Sequence, residues 1–175
     1  MNKSLILLIA TFSTVLVVTV ISTSWSFLPA LILNTEAGYL INQALFFSFL
    51  AASVTGAIVL VVGIPVYFSL EMKGKASQAN LAMVGFIIPV VIMLIISFLT
   101  ASDGSGSYSA GQNYYGTYRE MVIDNKRTLW GWVGLIEQFI TYGIYGLLGA
   151  TAFGKVVVKL KKPNKKFNMA LNIPR

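Results

Sequence analysis

Residues 129–154 read LWGWVGLIEQFITYGIYGLLGATAFG. The stretch carries one charged residue, Glu137, and is longer than the roughly 20 predominantly apolar residues that a helical membrane crossing takes. It therefore predicts a transmembrane helix with a carboxylate about a third of the way along. Three further apolar stretches are long enough to cross, at 5–23, 39–70 and 79–100. A spanning β-barrel would need apolar and polar residues to alternate; SLILLIATFSTVLVVTVIS and VGFIIPVVIMLIISFL do not. The expected fold is all-α: one domain over residues 1–175, a polytopic bundle of four transmembrane helices.

Composition agrees. The 175 residues are 56% hydrophobic and 11% charged, where a soluble domain carries about 25% charged residues. There is no cysteine and no histidine. That removes disulfides, thiol nucleophiles, histidine acid–base chemistry, His-ligated haem and the usual zinc sites. Neither a glycine-rich phosphate loop nor a dinucleotide fingerprint is present. The one intramembrane carboxylate is not a catalytic pair. No catalytic, cofactor-binding or metal-binding residue is expected, and the protein is expected not to be an enzyme.

The second and fourth spans are longer than a crossing requires. About 30 residues make roughly 45 Å of helix against about 30 Å of hydrocarbon, so these spans must tilt, bend or project. Pro65 after Gly63 offers the second span a hinge, and Pro89 offers one to the third.

Orientation follows from lysine and arginine. Ten of the thirteen lie at the N-terminus, in the 71–78 turn and in the tail from Lys155; three lie in the 101–128 loop and none in the 24–38 loop. Both termini are expected in the cytoplasm, with outer loops at 24–38 and 101–128 and a basic tail at 159–175. The expected location is the cell membrane, a bacterial inner membrane. The first span has a second reading as a secretory signal, although its apolar core of about 18 residues exceeds the usual ~7–15. The apolar stretch 27–33 contains Pro29, is too short to cross, and reads as an interfacial segment with Trp25 and Phe27 at headgroup depth.

Glu137 is the candidate polar site. It lies about 12 Å into its span at 1.5 Å per residue, and no span places a basic residue at comparable depth. Desolvation disfavours a charge there. Glu137 is expected to sit neutral, or to face water or a partner chain. Thr141 and Tyr145 follow at helical spacing on its face. Ser22, Asn42, Gln43 and Gln138 add polar groups near the same depth. The structural reading is an interhelical hydrogen bond to Asn42 or Gln43; the functional reading is an outward-facing polar cavity or ion site.

Two stripes of small residues stand at spacings of four, Ser48, Ala52 and Gly56 in the second span and Gly146, Ala150 and Gly154 in the fourth. Such stripes let helix backbones approach closely. The outer loop ASDGSGSYSAGQNYYGTYREMVIDNKR combines flexible Gly and Ser with Tyr108, Tyr114, Tyr115 and Tyr118, which are residues of interfaces. It reads either as a partner-recognition loop or as a solvated linker, and 118–127 as a short surface helix. The lysine-rich tail is expected to meet anionic lipid. Nucleic acid is not an expected partner.

Residues 56–89, GAIVLVVGIPVYFSLEMKGKASQANLAMVGFIIP, resemble the middle of small four-helix bacterial inner-membrane proteins of unassigned function, and GLLGATAFGKVVVK resembles their last helix. The resemblance implies fold and compartment only. In architecture the chain is also similar to immunity proteins against pore-forming bacteriocins. Two functions are expected: a non-catalytic protein that binds another membrane protein or a second copy, as an immunity or accessory subunit; or a small transporter or channel subunit with its polar site around Glu137.

Overall fold

The computed structural model describes residues 2–32, 37–100, 108–114 and 116–161. Four helical segments are long and apolar enough to cross a membrane. Helix α1 spans Lys3–Ile32. It runs on through the segment expected to lie at the interface. Where water is scarce the backbone must bond to itself, and a helix that continues does so.

The second rod is continuous but not uniform. It comprises α2 (Ala37–Ile58), a π-helical turn (Val59–Gly63) and α3 (Ile64–Met72). Pro65 has no N–H to give the preceding turn. The chain answers with the wider turn, in which the Ile64 N–H bonds the Val59 carbonyl. The expected hinge thus takes the form of a π-bulge. Beyond α3, Gly74 takes φ +65°, and Lys75 N–H donates to the Leu70 carbonyl at 2.8 Å. Ser77 then caps α4 (Gln78–Thr100), its Oγ accepting from Asn80 N–H at 3.2 Å. Pro89 lies inside α4, which stays α-helical throughout.

The outer loop corrects the all-α expectation. Residues 118–127 do not form a surface helix. Strands β1 (Ala110–Tyr114), β2 (Thr117–Ile123) and β3 (Lys126–Arg127) make an antiparallel sheet in that order. The fold is mostly helical with one small sheet. Thr, Tyr, Val and Ile in β2 favour extended backbone. Asp124 and Asn125, at φ 46° and 63°, form the two-residue connection of a tight hairpin. Helix α5 (Leu129–Lys161) follows at once.

α5 is the centre of the bundle. It packs on α4 and on α1, and α1 packs on α2, while α2 and α4 share no comparable seam. The small residues explain the order. A Cβ on Gly85 would collide with Ala150 Cβ and fall 2.6 Å from the Gly146 carbonyl oxygen. One on Gly146 would collide with the Gly85 carbonyl and fall 2.6 Å from Pro89 Cγ. On the other side, Gly149 faces Val18 and Thr14, and Thr14 Oγ1 donates to the Gly149 carbonyl at 3.2 Å.

The helices converge at the end that holds the N-terminus. Ile6, Ala10, Tyr67, Leu81, Phe153 and Val157 form a core there, with Tyr67 and Phe153 edge to face at 5.4 Å. Glu71 ties three helices together. It pairs with Lys3 at 2.9 Å and with Lys161, and Lys161 also donates to Tyr67 Oη at 2.6 Å.

The α4–α5 seam has no room for side chains at its two glycines. Gly85→Leu and Gly146→Leu are each expected to destabilise the bundle by roughly 1–3 kcal/mol or more, read as a fall in the thermal midpoint in detergent. Gly74→Ala, with nothing within 4 Å of the new Cβ, is expected to cost only backbone strain of about 1–2 kcal/mol. A smaller loss at the seam glycines than at Gly74 would contradict the seam.

Candidate functional site

Because α2 and α4 do not meet, a cavity of about 470 Å³ opens between them. Its floor is α1 and α5, and its walls are α2 and α4. The core at the end that holds the N-terminus closes one end through Tyr67, Leu81 and Phe153. At the opposite end Gln112 and Tyr114 of β1 reach over it.

The hairpin is held to α5 by one threonine. Thr128 Oγ1 accepts from Gly131 N–H at 3.2 Å, capping α5, and donates to the Glu120 carbonyl at 2.6 Å. Thr128 N–H donates to the Met121 carbonyl at 3.0 Å. Gly131 leaves no space beside that carbonyl for a Cβ, and Gly134 lies beside the Met121 methyl and the Tyr114 ring. The hairpin therefore covers the first turns of α5. Arg119 lies over Trp130 at 4.5 Å and Arg127 near Trp132 at 6.0 Å, and Tyr114 packs on Trp130 at 5.9 Å.

This placement brings a partner to Glu137. Tyr114 Oη donates to Glu137 Oε2. The partner expected from a neighbouring helix is supplied by the loop instead. Asn42 and Gln43 are exposed on α2 and do not line the cavity; the main seam of α2 is with α1. Glu137, Thr141 and Tyr145 do line it, with Gln138 and Tyr142. Tyr142 and Tyr145 stand edge to face at 6.2 Å.

The small-residue stripes serve different seams. Ser48 bonds Thr23 across the α1–α2 seam at 2.9 Å, and Gly56 lies nearest Val15 of α1. Ala52 between them is half-buried. Gly146 and Ala150 meet Gly85, and Gly154 meets Leu81. Of the loop tyrosines, Tyr114 is half-buried against α5. Tyr108 and Tyr118 are 61% and 65% exposed, and Tyr115 lies outside the described residues. So do the tail residues expected to meet anionic lipid beyond Lys161.

Besides Ser22, several lining residues were not picked out as site residues. Thr14, Val18, Ser22 and Ser26 run along α1 at spacings of four and face the cavity. That polar spacing was a readable signal. Gln112 was not readable, since only the β1 fold carries it there. Among the described residues no three His, Cys, Asp or Glu side chains gather as metal ligands would. No family model matches the chain, and no curated protein or solved structure matches it either.

Thr128→Ala is expected to cost about 1 kcal/mol, the usual value of an N-cap. Tyr114→Phe removes only the hydroxyl. It is expected to speed hydrogen exchange and proteolysis across 110–127 while leaving the bundle's thermal midpoint near the parent value. Unchanged hairpin protection in Tyr114→Phe would mean that the Glu137 bond does not hold the hairpin down.

Proposed function

We propose that the chain is a non-catalytic integral membrane protein that takes a small amphipathic molecule from the bilayer into its bundle, as a subunit of a small transporter would. What supports this reading is the cavity between α2 and α4, apolar along its length and polar at its outer end. Size decides between occupants. A transmembrane helix about 10 Å across and 30 Å long fills on the order of 2,000 Å³. The cavity's 470 Å³ falls instead in the roughly 300–1,000 Å³ range of small-molecule sites. On this reading the occupant arrives through the lipid, between α2 and α4.

The bundle is placed with both termini in the cytoplasm and the hairpin outside, in a bacterial inner membrane. Support comes from the lysines, which crowd the end holding Lys3, Lys73, Lys75, Lys155 and Lys159 and suit anionic cytoplasmic lipid. Single cysteines replacing Lys75 and Ser105 test this in a chain with no native cysteine. On intact cells an impermeant thiol reagent is expected to label position 105 and not 75; the reverse would invert the topology.

The exposed Tyr108 and Tyr118 favour a second role at the outer face, engagement of another membrane protein by an immunity or accessory subunit. Changing both to serine is expected to reduce recovery of such a partner without lowering the thermal midpoint.

The cavity reading is tested by native mass spectrometry of the full chain released from mild detergent. The expected result is one retained amphiphile per chain, lost in Thr141→Trp, whose indole fills the space. Equal retention in the parent and in Thr141→Trp would show that the molecule is bound elsewhere.

A further inference from the structure

We propose that the outer half of this cavity selects a hydrophobic organic cation, which enters between α2 and α4 and sets its charge against Glu137. The proposal rests on the cavity-binding reading and names the class of molecule bound.

Charge carries the first part of the argument. Among the described lining residues Glu137 is the one acid, and no lysine or arginine lines the cavity. Lys3 and Lys161 pair with Glu71 at the end that holds the N-terminus, and Arg119 and Arg127 lie near Trp130 and Trp132 on the hairpin side. Among the described residues the cavity lining therefore carries formal charge of one sign. Attraction of a cation to Glu137 is Coulombic and acts whether or not its oxygens are also hydrogen bonded. At an effective dielectric constant near 20 it is roughly fourfold stronger than in bulk water.

The walls carry the second part. Trp25, Tyr114, Tyr142 and Tyr145 line the same cavity. Aromatic faces attract cations, and they do so most for weakly hydrated organic ones. The remaining wall, from residues such as Val18, Val54, Val84 and Ile88, suits the apolar body of the molecule. This combination also discriminates against the molecules in greatest supply. Phospholipids carry a phosphate, which the carboxylate repels. A hydrophobic cation both concentrates in the bilayer and answers the charge.

The test uses tetraphenylphosphonium and tetraphenylborate, ions of closely similar shape and opposite charge. Equilibrium binding is measured on the full chain in nanodiscs of zwitterionic lipid, with empty nanodiscs subtracted. Tetraphenylphosphonium is expected to bind saturably, and tetraphenylborate at least roughly tenfold more weakly, a difference of about 1.4 kcal/mol. Glu137→Gln, which keeps size and shape, is expected to lose roughly tenfold for the cation and nothing for the anion. Thr141→Trp is expected to abolish binding while Glu137 remains. Each variant is carried forward only with a parental thermal midpoint, and Glu137→Asp replaces Glu137→Gln should the latter fail to fold, with an intermediate loss expected. Equal binding of both ions, or full cation binding by a well-folded Glu137→Gln, overturns the cation proposal and leaves the cavity reading standing. Saturable binding of neither ion, with no retained amphiphile, overturns both.

Discussion

The approach of α4 to α5 at Gly85 and Gly146 governs the rest of the bundle. Each glycine sits against the other's backbone, and neither position has space for a Cβ. In lipid, apolar side chains gain little by leaving their surroundings, so close backbone packing and interhelical hydrogen bonds hold helices together. α5 spends its small residues on two neighbours, Gly146, Ala150 and Gly154 on α4 and Gly149 on α1. The main seam of α2 is with α1. The helices are joined at the end that holds the N-terminus, and the cavity lies between α2 and α4.

The second constraint is Glu137, the one acid among the described residues that line the cavity. Glu137 stands two turns into α5, and the hairpin descends over those two turns to meet it. Thr128 caps the helix and bonds the Glu120 carbonyl of the sheet, so α5 and the hairpin begin as one unit. Tyr114 is thereby carried to Glu137. The polar pair and the apolar groove together line one amphipathic cavity.

The second rod carries a wide turn beside the cavity. The π turn at Val59–Gly63 lies beside the cavity, between the part of α2 that borders the opening and the part of α3 that is locked to α5. Below it, Tyr67 and Glu71 are held by Phe153 and by two lysines. Above it, α2 packs on α1. A helix fixed at one end and interrupted by a wide turn can swing at the other, and π turns are frequent at functional sites.

The four helices long and apolar enough to cross a membrane and the break at Gly63 and Pro65 were legible in the sequence, because hydropathy and proline act locally. The inward-facing polar stripe of α1, from Thr14 to Ser26, was legible in spacing though not in purpose. The sheet was harder: Gly116 and the Asp124–Asn125 pair mark turns, but the short strands between them become distinct only when paired. Which helices touch was not legible at all. Ser48, Ala52, Gly56 and Gly146, Ala150, Gly154 are alike as stripes, yet one meets α1 and the other meets α4. The partner of Glu137 could not be read either, since Asn42 and Gln43 share its depth and Tyr114 does not share its helix. Sequence determines what each segment must bury and where a charge must find company. Tertiary structure alone decides which neighbour supplies it, because contacts between elements depend on how backbones fit across a seam, and no spacing along one chain segment encodes that fit.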